Sequence, residues 1–140
     1  MTPNLSLIKK RTRAYTLTEI LVVLIIIGIL VLLALPNLLP LITRARTVEA
    51  KTQLTHLQTL EENYFYEHSK YSKDLTELGF VQPRLAEDGK DGANYRIEIT
   101  SATNTTFTAK ATSVVDFNRN GTFNVWAIDQ NKNLKEITPD

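Results

Sequence analysis

The chain has 140 residues, with 16 Lys and Arg against 15 Asp and Glu, and it has no cysteine. That length makes one domain the default, and the absence of thiols excludes a disulfide framework and thiolate metal sites. The near-balance of charge hides a segregation: Lys9, Lys10, Arg11 and Arg13 precede residue 15 with no acid among them, leaving 12 basic against 15 acidic residues in the remainder. Most of the chain therefore lacks the basic footprint that nucleic acid requires, and no nucleic-acid partner is expected from charge.

Residues 1–14 read as a basic leader. From Ile20 to Leu35 the chain is unbroken apolar residues and one glycine, Gly28, and Leu38, Leu41 and Ile42 extend the run past Pro36. Sixteen helical residues rise roughly 24 Å, and continuing to residue 42 reaches roughly 35 Å, enough to cross a hydrocarbon core about 30 Å thick. The segment 15–42 is thus expected to span a membrane once. The cationic leader places the N-terminus in the cytoplasm and the rest of the chain across the inner membrane. No A-x-A-like cleavage site follows the run, so any processing falls before it, near Ala14.

Glu19 is the single acid at the mouth of this run. Thr16 and Glu19 have capping-box spacing, and an acid in the first turn suits the helix dipole. An ionisable group beside a long apolar segment also marks a functional contact. The run Ala14-Tyr15-Thr16-Leu17-Thr18-Glu19, behind a basic leader and ahead of an apolar stretch with a proline, resembles the N-terminus of type IV pilins and type II secretion pseudopilins. The resemblance implies cleavage by a prepilin peptidase between Ala14 and Tyr15, then N-methylation of Tyr15. Alanine stands where that family usually has glycine, and Tyr15 where it usually has phenylalanine. Glu19 becomes the fifth mature residue, and its implied partner is the N-terminal amine of a neighbouring subunit. Gly28 and Pro36 are soft points, since proline removes a backbone donor at a cost of roughly 3 kcal/mol in a regular helix. The resemblance implies that helical order is lost between them on assembly.

Residues 43–70 continue as an amphipathic helix. Ala50, Leu54, Leu57, Leu60, Tyr64 and Phe65 recur at spacings of three and four, with Glu49, Lys51, Glu61, Glu62 and Glu67 assigned to the polar side. In Tyr64-Phe65-Tyr66 the spacing predicts packing plus one exposed ring, and His56 and His68 are expected at solvent or the core edge. Residues 71–80 read as a loop and a short helical turn capped near Ser72 or Asp74, with Gly79 as its stop. Residues 81–93 read as a polar linker with two Asp-Gly turn signals.

The remainder of the 71–140 domain is strand-like. Tyr95, Ile97 and Ile99 alternate with Arg96, Glu98 and Thr100, and further strands are expected over 106–115, 122–129 and 134–138. These predict an antiparallel meander of three to four strands, covered by the second half of the long helix: an α+β fold of pilin-like form. Trp126 is expected at the core or its rim. Asp116, Asn118 and Asn120, followed by Gly121, form the D-x-N-x-N-G start of a calcium loop. The twelfth loop position is Ala127 rather than a bidentate acid, and an Asn-Gly hairpin turn explains the same residues without metal. Calcium is the one cofactor for which the sequence offers ligands.

No nucleophile set, phosphate-cradling loop or strongly spaced metal cluster is present, so the chain is not expected to be an enzyme. The resemblance implies a structural subunit that is trimmed at Ala14, handed to an inner-membrane assembly platform, and packed with copies of itself into a helical filament at the cell surface or in the periplasm. A type IV pilus, a type II pseudopilus and a DNA-uptake filament remain open. The alternative is a monomeric, uncleaved, single-pass anchored binding module.

Overall fold

The structure, a computed structural model, describes residues 14–86 and 90–140. The basic leader, apart from Ala14, therefore lies outside the described residues. One helix, α1 (Leu17–His68), is followed by four strands, β1 (Tyr95–Ala102), β2 (Phe107–Ser113), β3 (Val125–Asp129) and β4 (Lys135–Thr138). Two compact units divide at Leu38 and Leu39, and each is described by itself.

In the first unit, α1 starts where Thr16 caps it: the Glu19 amide donates to Thr16 Oγ1 at 3.2 Å, and the Ile20 amide to the Thr16 carbonyl at 3.2 Å. The first bond satisfies an amide that would otherwise be orphaned at the helix start, and the second is the first regular bond of the helix. The helix runs on through Gly28 and Pro36, although Pro36 itself has no amide hydrogen to donate.

In the second unit the strands follow one another in the sheet, β1-β2-β3-β4, all antiparallel. The alternation read from 95–99 is observed, with Tyr95, Ile97 and Ile99 buried and the residues between them exposed. Opposite them lie Ser113, Ala111 and Ala109 in register. The two alanines keep that face of β2 shallow, which leaves room for Leu54 and Leu57 of α1, both fully buried in the same cluster as Ile97 and Phe107. The helix covers the sheet as the amphipathic stripe anticipates, and the fold is α+β.

Polar contacts clamp this packing. The Glu49 carboxylate accepts from the Asn94 amide at 2.8 Å, from Asn94 Nδ2 at 2.7 Å and from the Tyr95 amide at 3.3 Å, fixing the start of β1 to the helix. The Tyr95 hydroxyl donates to Asn124 Oδ1 at 2.7 Å, and Asn124 Nδ2 donates to Glu136 Oε1 at 2.7 Å. Burial, reinforced by Glu49, holds the Tyr95 hydroxyl above its ordinary range, so it stays a donor.

The turn read from 71–80 is present. The Asp74 amide donates to Ser72 Oγ at 3.0 Å, and the Thr76 amide to Asp74 Oδ1 at 2.8 Å. It ends with Gly79 at φ 72°, the Phe80 amide donating to the Leu75 carbonyl and the Gly79 amide to that of Thr76. That double bond around a left-handed glycine is the Schellman stop.

Three expectations are corrected. Glu61, assigned to the polar side, is wholly buried. The segment 81–93 is more than a linker, because the Ala86 amide bonds the Ala93 carbonyl and the Ala93 amide that of Arg84, each at 2.8 Å. Strand β3 begins at Val125 rather than 122, because residues before it close the Asp116 turn and Asn124 is spent as a buried linker to Tyr95 and β4.

Candidate functional site

Ala14 and Tyr15 precede α1 in non-helical backbone, both exposed, Tyr15 to 74 %. A peptide bond in that condition is reachable by a protease, whereas a helical one is not. Glu19 follows within the first turn and is the only charged residue of Leu17–Pro36, a span of 20 residues and mean hydropathy 3.1. Such a helix is roughly 30 Å long, the thickness of a hydrocarbon core. Its apolar side chains are exposed throughout, none of the span being buried within the chain. A face this apolar requires lipid or other protein as its surroundings.

Among the described residues no heavy atom lies within 4 Å of where a Cβ of residue 28 would stand, so a side chain there would meet no clash. Among the described residues the Glu19 carboxylate has no ion-pair partner.

Asp116, Asn118 and Asn120 come together in the connection between β2 and β3. Asp116 Oδ1 accepts from the amides of Arg119 at 2.6 Å and Asn120 at 3.2 Å, and Oδ2 from that of Gly121 at 2.7 Å. Asn118 Oδ1 accepts from the Asn120 amide at 2.9 Å, and Asn120 Oδ1 from the Thr122 amide at 2.6 Å. Arg119 and Gly121 take φ of 61° and 84°.

Sequence reasoning missed Glu61. Its Oε2 accepts from the Ser72 amide at 3.0 Å while Oε1 is buried without a partner, and desolvation raises its pKa to about 7 against the lowering effect of that bond. Ser72 Oγ in turn donates to Glu77 Oε2 at 2.6 Å. The signal was present: Ala50, Leu54, Leu57 and Glu61 continue one three-four stripe. His56 and His68 are exposed as read, and Tyr66 is the ring left in solvent. Trp126 sits at the rim with Lys51 Nζ 4.4 Å from its ring centre.

One long helix, apolar and exposed over Leu17–Pro36 with a single acid in its first turn, joined in sequence to a helix-covered antiparallel meander, defines the α+β class to which the chain belongs. Residues 9–35 match the prokaryotic N-terminal methylation motif, and residues 39–124 match the family described as type IV minor pilin ComP, DNA uptake sequence receptor. The chain belongs to that family of type IV pilins. It is also 40 % identical over 74 residues to the type IV major pilin protein PilA of Myxococcus xanthus (strain DK1622), a match covering 53 % of this chain and 34 % of that relative. The chain thus matches about a third of the length of that curated relative.

Proposed function

We propose that this protein is a structural subunit of a type IV pilus, cleaved between Ala14 and Tyr15 by a prepilin peptidase, methylated at Tyr15, and assembled from the inner membrane with its sheet domain on the far side. The observation that carries the reading is the Leu17–Pro36 helix, apolar and exposed along its length, with Glu19 as its only charge. A carboxylate beside hydrocarbon is costly without a counter-charge, and the new amine of Tyr15 on a neighbouring copy supplies one. Head-to-tail repetition of such a contact does not close and yields a fibre. Gly28 and Pro36 supply the place where the helix extends once packed among copies. A filament map with unbroken helical density from residue 15 to 41 would refute that detail. The experiment for the main reading is Glu19→Ala: filaments disappear from the cell surface while membrane levels of the protein are kept. Wild-type filament yield from the variant would sink it.

The matched family's description names a DNA uptake sequence receptor. A groove on the sheet domain bordered by Arg46, Lys90 and Arg96, with Asp91 beside them, favours a second reading in which duplex DNA is held there. Phosphate contacts by three cations make such binding steeply salt-dependent. Fluorescence anisotropy of a labelled duplex against the full chain in detergent decides it. Affinity that falls with salt and with Arg96→Ala supports a receptor role, and no binding at low salt removes it.

A further inference from the structure

The turn after β2 is built more elaborately than a hairpin needs. Numbered from Asp116, position one receives the amides of positions four, five and six, position three that of five, and position five that of seven. Positions four and six are left-handed, at 61° and 84°. A two-residue hairpin would be closed by Asn-Gly alone. Here three side chains at alternate positions each spend oxygen lone pairs on the backbone. Asp116 Oδ2, Asn118 Oδ1 and Asn120 Oδ1 each accept one hydrogen bond and keep one lone pair.

A second observation comes from outside the turn. Asp140 Oδ2 accepts from the amide of Phe117, position two, at 2.7 Å. Its Oδ1 is buried and has no partner among the described residues. A buried carboxylate oxygen without a donor is expensive, and neither Asp116 nor Asp140 has an ion-pair partner among the described residues. Position twelve is Ala127, and Asp140, beyond β4, brings a carboxylate to the backbone of position two instead. Phe117 fixes the turn independently, its ring 5.9 Å from that of Tyr95 and under the Arg46 guanidinium at 4.9 Å.

We propose that the β2–β3 connection is a calcium site, formed by the side-chain oxygens of Asp116, Asn118 and Asn120, the main-chain carbonyl of Thr122 and the carboxylate of Asp140. An all-oxygen set with two carboxylates suits a hard cation that takes six to eight oxygen ligands, waters completing the shell. Two negative charges correspond to the weaker class, with dissociation constants of about 10⁻⁴–10⁻³ M, typical of domains bathed in extracellular calcium. Binding ties the end of the sheet to the turn and stabilises the folded domain by mass action.

The test is thermal unfolding of the full chain in detergent, followed by Trp126 fluorescence, in EGTA, calcium chloride or magnesium chloride. The expected result is a midpoint several degrees higher in about 10 mM calcium than in EGTA, half of the rise appearing near 10⁻⁴–10⁻³ M, and little change in magnesium. Asn118→Ala removes one ligand oxygen but leaves the Asp116 bonds, and Asp140→Asn leaves the whole D-x-N-x-N-G segment. Each is expected to weaken the calcium response about tenfold or more while the variants remain folded in EGTA. A wild-type midpoint identical in EGTA and calcium overturns the proposal, as does an equal rise in magnesium or an undiminished calcium response in both variants.

Discussion

Replacing Glu61 by glutamine isolates the one fully buried acid among the described residues of the helix–sheet core. Its folded pKa of about 7 stands above the ordinary 4.5, raised by loss of water around the carboxylate and only partly offset by the Ser72 amide. The groups facing it are the Ser72 amide on the loop, Tyr64 on its own helix, Tyr71, and Glu77, which is reached through Ser72 Oγ. For an acid whose pKa is raised by folding, the native state holds the proton more tightly than the unfolded chain. Stability is therefore full below pH 4.5, falls as pH rises from 4.5 to about 7, and is level above. A difference of this size corresponds to about 3 kcal/mol between the two plateaus, a large share of a small domain's stability of roughly 5–15 kcal/mol. Glu61→Gln cannot ionise and keeps an oxygen for the Ser72 amide. Urea unfolding of the full chain in detergent at pH 5 and pH 8 reads the effect. We expect wild type to lose about 2–3 kcal/mol between the two, part of the fall having occurred already at pH 5, and the variant to lose much less, so that the variant is the more stable protein at pH 8. Parallel pH profiles for the two proteins would refute the reasoning.

Other substitutions probe the same packing. Gly92→Ala places a Cβ 2.6 Å from both the Ala86 amide nitrogen and the Leu85 carbonyl carbon; both are backbone atoms, so we expect a loss of about 1–3 kcal/mol in urea unfolding. Leu54→Ala empties a fully buried site between helix and sheet and should cost about 2–5 kcal/mol in the same assay. Glu49→Ala leaves the Asn94 and Tyr95 amides without their carboxylate; accelerated amide exchange at the start of β1 is expected, and unchanged protection there would show that water replaces the clamp.

What could be read from the residues was whatever depends on local periodicity and turn chemistry. Tyr95, Ile97 and Ile99 alternate because one face of β1 is buried, and the stop at Gly79 follows from its left-handed φ. Glu61 was misassigned because a charge on a buried stripe looks like polar-face chemistry unless its place in the three-four spacing is weighed above its charge. The Glu49 clamp was not legible, since a bond spanning 45 residues leaves no local trace. Nor was the bond from the Phe117 amide to Asp140, which spans 23 residues and depends on how β4 ends beside the turn. The Ala86–Ala93 ladder was read only as turns, although Gly92 already marked a close backbone approach.

The filament reading rests on removal of a leader that would separate the Tyr15 amine from its place beside a neighbour's Glu19. Intact-mass and N-terminal peptide mass spectrometry of filaments sheared from the producing cell tests this directly. The expected species begins at a singly methylated Tyr15 and lacks everything up to Ala14. Filaments built from chains that still begin at Met1 would contradict it.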